Sequence, residues 1–148
     1  MCAWVRCCGG SAKRKLSLYE NGTWKVGYDN YGSYYYTGIG APYYGWVLNS
    51  DRFTSVANQT NIIGTSNTIN VTDYTKLHVV AKSVTNEGGF SGMACVGTSK
   101  DVQPATKVNI TNGSYTEYII DVTNMTNVYI SFFSHGNRVC DVKEVFLT

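Results

Sequence analysis

The side chains best suited to recognition chemistry are concentrated in residues 28–46. This segment carries eight aromatic side chains in nineteen positions, whereas the other 129 residues carry twelve. Tyrosine combines a flat apolar face with a hydroxyl group and few rotatable bonds, so tyrosines on glycine-rich loops form adhesive surfaces at low entropic cost. The C–H groups of a pyranose ring stack on such a face. The segment therefore predicts a binding surface for a sugar.

We expect tyrosines to stack on the ligand and nearby polar side chains to hydrogen-bond it. The stacking residues are Tyr31, Tyr34, Tyr35, Tyr43 and Tyr44, and the polar residues are Asp29, Asn30, Asn137 and Arg138. Trp46 is expected in the core instead, because Val47 and Leu48 follow it. An alternative hypothesis is structural: the same tyrosines would pack between subunits, since aromatic residues are enriched in interface cores.

Patterns for catalysis are weak. Residues 89–93 read Gly-Phe-Ser-Gly-Met, which departs from the nucleophile elbow of hydrolases in its last residue. A glycosidase needs two carboxyl groups at a fixed separation, and no pair stands out among the glutamates. The candidates are Glu20, Glu87, Glu117 and Glu144. The sequence therefore predicts a binding protein that is not an enzyme and needs no cofactor.

The elements that must position the aromatic segment are β-strands. The chain has 16 Thr, 16 Val and 12 Tyr, while charged residues make up only 15%. Residues of these types favour strands. A length of 148 residues fits one domain. Short alternating runs separated by turn residues predict an all-β, antiparallel, two-sheet sandwich over residues 16–148, with residues 1–15 as an appendage or linking strand.

Turn residues divide the predicted strands. Four hairpins are expected, at Asn21-Gly22, residues 86–89, Asn112-Gly113 and residues 135–137. Residues 71–75 and 121–125 are expected to cross between sheets, and the broken alternation of residues 139–147 predicts a bulge. Asn-x-Ser/Thr occurs six times. We attribute this excess to asparagines in turns that precede threonines in strands.

The distribution of charged and apolar residues favours a protein that does not bind nucleic acid and does not insert into a membrane. The net charge is +2, with a basic cluster confined to the residues before Leu16. No run approaches the roughly 18–20 apolar residues that span a bilayer. The first fifteen residues lack the apolar stretch of a signal peptide.

Five cysteines without regular spacing indicate free thiols in a reducing cytoplasm rather than a disulfide framework or a zinc site.

A family resemblance rests on the order of short motifs along the chain. The motifs are Leu18-Tyr19-Glu20-Asn21-Gly22, Trp46, residues 69–77 (INVTDYTKL), residues 118–122 (YIIDV), residues 129–132 (YISF) and residues 142–147 (VKEVFL). This order resembles the carboxy-terminal β-sandwich modules of tail, baseplate and fibre proteins from phages and prophages of Gram-positive bacteria. A Thr-Gly-Gly-Trp motif of that family corresponds here only to Tyr44-Gly45-Trp46.

The resemblance implies a jelly-roll-like module, similar to carbohydrate-binding domains, that recognises a bacterial cell-surface glycan. It also implies a homo-oligomer or a part of a larger tail or fibre protein, assembled in the bacterial cytoplasm and carried on the virion. Display on the bacterial cell surface is the alternative. By analogy with jelly-roll binding modules, a structural calcium ion would use Asp141 and Glu20.

Overall fold

The computed structural model describes residues 15–31, 43–99 and 106–148, with Tyr31, Tyr43 and Tyr44 described by their backbone alone. Within these residues the chain forms two packed sheets. The first sheet contains β1 (Leu16–Glu20), β2 (Thr23–Trp24), β5 (Val47–Leu48), β6 (Phe53–Thr54), β9 (Lys76–Thr85), β12 (Thr116–Asp121) and β14 (Val139–Leu147). The second sheet contains β3 (Tyr28–Tyr31), β4 (Tyr43–Tyr44), β7 (Thr60–Thr65), β8 (Ile69–Asn70), β10 (Gly92–Gly97), β11 (Thr106–Ile110) and β13 (Asn127–Ser134).

Each sheet has five strands in its main order and two short strands beside them. The first sheet runs β12-β9-β14-β1-β2, with β6 paired to β14 and β5 paired to β6. The second runs β11-β10-β13-β7-β3, with β4 paired to β7 and β8 paired to β13. Among these described pairs, β4 and β7 run parallel and the others antiparallel. The predicted all-β, two-sheet sandwich is confirmed, and no helix in the described ranges could span a membrane.

The core lies between the two sheets, as the alternation of the long strands predicts. On β9, Leu77, Val79 and Ala81 are fully buried, and on β13, Ile130 and Phe132 are fully buried. Successive strand residues point to opposite faces, so these positions share the inner face. An aromatic cluster occupies one part of this core and consists of Tyr19, Trp24, Trp46, Phe53 and Phe132.

One of the four predicted hairpins is confirmed and three are wrong. Asn21 and Gly22 close β1 and β2, which pair from Tyr19 with Trp24 to Glu20 with Thr23. Turns do form at residues 86–89, 112–113 and 135–137, but each joins a strand of one sheet to a strand of the other. Turn chemistry marks where the chain reverses. It does not determine which strand the chain pairs with next.

The predicted crossovers and bulge are confirmed. The Asn70 side chain accepts from the Thr72 backbone N–H at 3.0 Å, and the Asp121 side chain accepts from the Thr123 N–H at 2.8 Å. These are Asx turns at the two predicted crossovers, where β8 leads into β9 and β12 leads into β13. On β14 the pairing register shifts between Val142 and Glu144, which leaves Lys143 as the extra residue.

The distribution of Asn-x-Ser/Thr motifs also has a conformational basis. The described non-glycine residues with positive φ are Asn21, Asn58 and Asn124, and each begins one of these motifs. Asparagine tolerates the left-handed region better than most residues do. For these three positions, the interpretation that the motifs mark turns is confirmed.

Cys95 and Cys140 are buried free thiols in different clusters of the fold. Cys140 belongs to the core between the sheets, whereas Cys95 packs with Ile62, Met93 and Phe133 in a second cluster. Burial raises the pKa of both thiols to about 12. Both cysteines therefore act as small apolar residues. Cys2, Cys7 and Cys8 lie outside the described residues.

Candidate functional site

The outer face of the second sheet is defined by the pairing register, because directly opposite residues of an antiparallel pair share a face. One row across this face consists of Tyr31, Ile62, Phe133, Met93 and Asn109. The next row consists of Asp29, Gly64, Ser131, Cys95 and Lys107. Two of the residues predicted to bind a ligand, Asp29 and Tyr31, therefore have positions on this outer face.

The middle of this outer face is closed to a ligand. Ile62, Met93, Cys95 and Phe133 are only 1–4% exposed, and Phe90 packs against them. Lys107 and Asn109 on the edge strand are exposed. A ligand therefore has access to the edges and ends of the face rather than to its centre.

Within the tyrosine-rich segment, residues 28–46, the strands β3 and β4 both pair with β7. The chain leaves β3 at Tyr31, opposite Ile62, and resumes in β4 at Tyr43, opposite Thr60. These anchor points are two residues apart on one strand. Tyr34 and Tyr35 lie between them, outside the described residues. The same register places Tyr44 beside Asn61, which pairs with Ser134 on its other side, so Tyr44 and Ser134 are about 10 Å apart at the backbone.

The turn after Ser134 carries the other predicted site residues, Asn137 and Arg138. The Arg138 guanidinium lies 4.0 Å from the centroid of the Phe90 ring, and its Nε donates to the Glu87 carbonyl oxygen at 2.7 Å. The Asn137 backbone N–H donates to the Glu87 carboxylate at 3.1 Å. The turn at residues 86–90 thus supports the turn that carries Arg138 and fixes the orientation of the guanidinium.

His135 completes this cluster. Its Nε2 lies 2.7 Å from Nη1 of Arg138. A guanidinium can only donate, so the imidazole nitrogen must accept, and the ring must be neutral. Burial, followed by the positive charge of Arg138, lowers the pKa of His135, while Glu87 acts in the opposite direction. A neutral His135 is thus part of the geometry that holds Arg138.

We expect His135 to titrate below its ordinary pKa of 6.5. Between that lowered pKa and 6.5 the unfolded chain binds more protons than the folded one, so acidification through this window destabilises the fold. An NMR titration of the His135 ring measures the midpoint. Arg138→Gln removes a positive charge and is expected to move the midpoint upward. A wild-type midpoint above 6.5 would contradict this geometry.

Asn30 has a structural contact that the sequence does not reveal. Its amide Nδ2 donates to the Trp46 carbonyl oxygen at 2.7 Å, and its Oδ1 accepts from the Trp46 backbone N–H. Both ends of the carboxamide are therefore used to join β3 to the start of β5. Its contact with a ligand remains a prediction, and the structure assigns it this tie to Trp46.

The two residues suggested for calcium have different surroundings. Asp141 is 5% exposed and accepts from the Thr54 hydroxyl at 2.7 Å, with Arg52 Nε at 3.5 Å and Lys82 Nζ at 3.8 Å. Glu20 instead lines a cavity of about 150 Å³ with Asp51, Lys143 and other residues. In the part of the chain that the structure describes, no three His, Cys, Asp or Glu side chains are grouped to hold a metal ion.

We expect a chelator to leave the melting temperature of the chain unchanged. Asp141 already has two cationic partners, and Ca²⁺ needs six to eight oxygen ligands. Thermal unfolding followed by circular dichroism, with and without excess EDTA, measures the effect. A lower melting temperature in EDTA that added CaCl₂ restores would instead establish a structural calcium ion.

Comparison with known structures supports the fold. No protein-family model and no curated protein matches the chain. A family 29 carbohydrate-binding module from Piromyces equi aligns at 12% identity over 90% of this chain and 89% of its own, with a TM-score of 0.53. The cleaved adhesin domain of Lys-gingipain aligns at 15% identity over 91% and 99%, with a TM-score of 0.53. The likeness shows the fold: a jelly-roll-like β-sandwich.

The sequence names Arg138 as a candidate site residue but does not reveal the residues that orient it. Phe90 and Glu87 are about fifty positions earlier in the chain, and their turn contacts the 135–138 turn only in the folded sandwich. His135 lies in the turn that the sequence predicts at residues 135–137. Its spacing of three residues from Arg138, within one tight turn, was the only available signal.

Proposed function

We propose that the chain is a non-enzymatic carbohydrate-binding module that recognises a bacterial cell-surface glycan. The observation that carries this proposal is the convergence of two features at one end of the second sheet. Within the tyrosine-rich segment, Tyr31 at the end of β3 and Tyr43 at the start of β4 both pair with β7. The 135–138 turn follows β13, which pairs with β7 on its other side, and Arg138 in this turn packs on Phe90. Aromatic faces beside fixed polar donors are what a sugar ring requires.

Two further facts support this function. The structural neighbours are named a carbohydrate-binding module and an adhesin domain. The motif order from Leu18 to Leu147 resembles modules of phage tail, baseplate and fibre proteins. We further propose, from this resemblance, that the module is carried on a phage virion assembled in the bacterial cytoplasm, with the bacterial cell surface as the alternative.

Within this proposal the tyrosines provide the stacking surface and the turn provides hydrogen bonds. Tyr31, Tyr34, Tyr35, Tyr43 and Tyr44 stack on the sugar rings. Arg138 has guanidinium N–H groups beyond those used by Glu87 and His135, so it can also donate to sugar hydroxyls. Asn137 lies in the same turn as Arg138, and Asp29 lies on the same outer face as Tyr31. The side chains of both residues add polar contacts to the sugar.

Affinity at one such site is expected to be modest, so the number of copies matters. Several modules on one particle convert weak single contacts into strong attachment through a high effective concentration. We therefore propose that the chain acts as a homo-oligomer or as part of a larger tail or fibre protein.

A glycan array probed with a multivalent form of the chain tests the proposal. We expect binding to a bacterial glycan, and we expect Tyr34→Ala combined with Tyr35→Ala, and separately Arg138→Ala, to reduce binding about tenfold or more. Truncating aromatic or arginine anchors of an interface commonly costs over 1.4 kcal/mol, which is tenfold in affinity. Surface plasmon resonance with the selected glycan measures each variant.

Tyr115→Ala is the matched control, because Tyr115 is 37% exposed and precedes β12 in the first sheet. This variant should bind like the wild type. No binding to any glycan, or equal loss in Tyr115→Ala, would reject the proposal. Light scattering that shows a stable oligomer, with tyrosine fluorescence shielded from a soluble quencher, would favour an assembly domain instead.

A further inference from the structure

A separate cavity of about 440 Å³ lies at the opposite end of the second sheet from Arg138. It is lined by the end of β10, the start of β11, and the chain that crosses from β12 into β13. We name it the end pocket. Its volume falls within the range of roughly 300–1,000 Å³ that small-molecule sites occupy.

The walls of the end pocket are held by backbone hydrogen bonds. On one side, Val96 pairs with Thr106 across β10 and β11. On the other, the Met125 N–H donates to the Val122 carbonyl oxygen at 3.0 Å, and the Thr126 carbonyl oxygen accepts from the Val71 N–H at 2.7 Å. Such a pocket is formed before any ligand arrives, so little ordering cost opposes binding.

The floor of the end pocket is apolar and its rim is polar. Val96 and Val128 line it and are 2% and 3% exposed, and Met125 packs against the core beside them. The rim contains Thr98, Thr106, Asn124, Thr126 and Asn127. None of these five side chains hydrogen-bonds another described residue. Their hydroxyl and amide groups therefore have donors and acceptors available for a ligand.

Among the described residues that line the end pocket, none carries a charged side chain. A charged ligand would lose hydration there without gaining a counter-ion from these described residues, which is costly. A neutral ring with several hydroxyl groups matches both the floor and the rim of the pocket. Its C–H groups contact the apolar floor, while its hydroxyls hydrogen-bond the threonines and asparagines of the rim. We propose that the end pocket binds a neutral saccharide unit. This site does not depend on the tyrosine-rich segment or on Arg138.

An NMR titration of the full chain tests the proposal. The neutral probes are glucose and N-acetylglucosamine, and the charged probes are glucosamine and glucuronate. We expect at least one neutral sugar to give saturable shifts of the Gly97, Thr98 and Thr126 amides at millimolar concentration. We expect the charged sugars to bind at least about tenfold more weakly, since the described lining residues offer no opposite charge to offset their desolvation.

A double variant tests the rim directly. Thr98→Val with Asn127→Ala removes two hydrogen-bonding groups and is expected to weaken binding about tenfold. Thr23→Val with Asn86→Ala is the matched control on exposed residues outside the pocket, and it should bind like the wild type. Absence of shifts with both neutral sugars, equal binding of charged and neutral sugars, or unaltered binding in the double variant would each overturn the proposal. Because the wild-type comparison needs no mutation, the proposal can be rejected even if the variant fails to fold.

Discussion

Replacing Phe53 with alanine is expected to lower the free energy of unfolding by about 3–5 kcal/mol. Phe53 is 0% exposed. Its ring centroid lies 4.8 Å from that of Tyr19 and 5.2 Å from that of Phe132. It also lies 5.3 Å from the Trp46 ring and 5.6 Å from the Trp24 ring. Removal of this ring leaves a cavity that four large aromatic side chains cannot close without losing their own contacts.

The position of Phe53 in the sandwich makes this loss unusually damaging. Tyr19 and Trp24 belong to the first sheet and Phe132 to the second, so the Phe53 ring joins the two sheets. Burial of this cluster raises the pKa of Tyr19 to about 12. A typical domain is stable by only about 5–15 kcal/mol. The variant is therefore expected to lose a large fraction of its stability.

Urea unfolding followed by circular dichroism and by tryptophan fluorescence measures the change. Tyr115→Ala is a suitable control, because this tyrosine is exposed and contacts Lys82 and Lys143 at 4.9 and 5.2 Å from its ring centroid. Such exposed cation–π contacts contribute only about 0.5–1 kcal/mol each. A loss of about 1 kcal/mol or less in Phe53→Ala would show that the aromatic cluster does not join the sheets as described.

Local patterns in the sequence were enough to predict the class of fold. Alternation placed Leu77, Val79 and Ala81 on one face of β9, and all three are buried. The broken alternation near Lys143 marked the bulge in β14. These features depend on residues within one strand, where the period of two is a direct consequence of backbone geometry.

Which strands pair was not predictable, because pairing depends on residues far apart in the chain. β13 illustrates the difficulty, since Phe132 faces the core and its neighbour Phe133 lies in the second cluster on the outer face. A strand that is apolar on both faces has no solvent side to reveal its sheet. This difficulty applies to the wrong hairpins at residues 86–89 and 135–137, because β10 and β13 have buried residues on both faces.

The candidate site was predictable from composition only in part. The concentration of tyrosines predicts a binding segment that begins at Tyr28, because eight aromatic residues in nineteen positions are unusual. The role of Asn30 depended on Trp46, sixteen residues later. The support of Arg138 depended on Glu87, fifty-one residues earlier. No local pattern encodes such partners, so they required the folded structure.

Replacing Gly22 with alanine is expected to lower the free energy of unfolding by about 2–4 kcal/mol. Gly22 has φ of 76° and Asn21 has φ of 50°, so both central residues of the β1–β2 turn adopt the left-handed region. This two-residue geometry matches the twist of a hairpin. A side chain at position 22 is strained in that conformation for any L-residue.

A second cost in Gly22→Ala comes from the neighbouring chain. A Cβ atom at position 22 would lie 2.1 Å from the backbone carbonyl oxygen of Ser50, so the hairpin must move away from residues 50–51. That movement disturbs Trp24, which stacks on Phe53 in the aromatic cluster. The Ala variant is therefore expected to weaken packing as well as the turn.

Gly113→Ala separates these effects from the general consequence of losing a glycine. A Cβ atom at position 113 would meet nothing within 4 Å, and no positive φ is required there. Alanine reduces the conformational freedom of the unfolded chain, so this variant is expected to be unchanged or stabilised by up to about 1 kcal/mol. Urea unfolding of both variants gives the comparison. Equal stabilities would show that the β1–β2 turn does not lie against Ser50, whereas a loss confined to Gly22→Ala locates the constraint in that contact and in the left-handed turn.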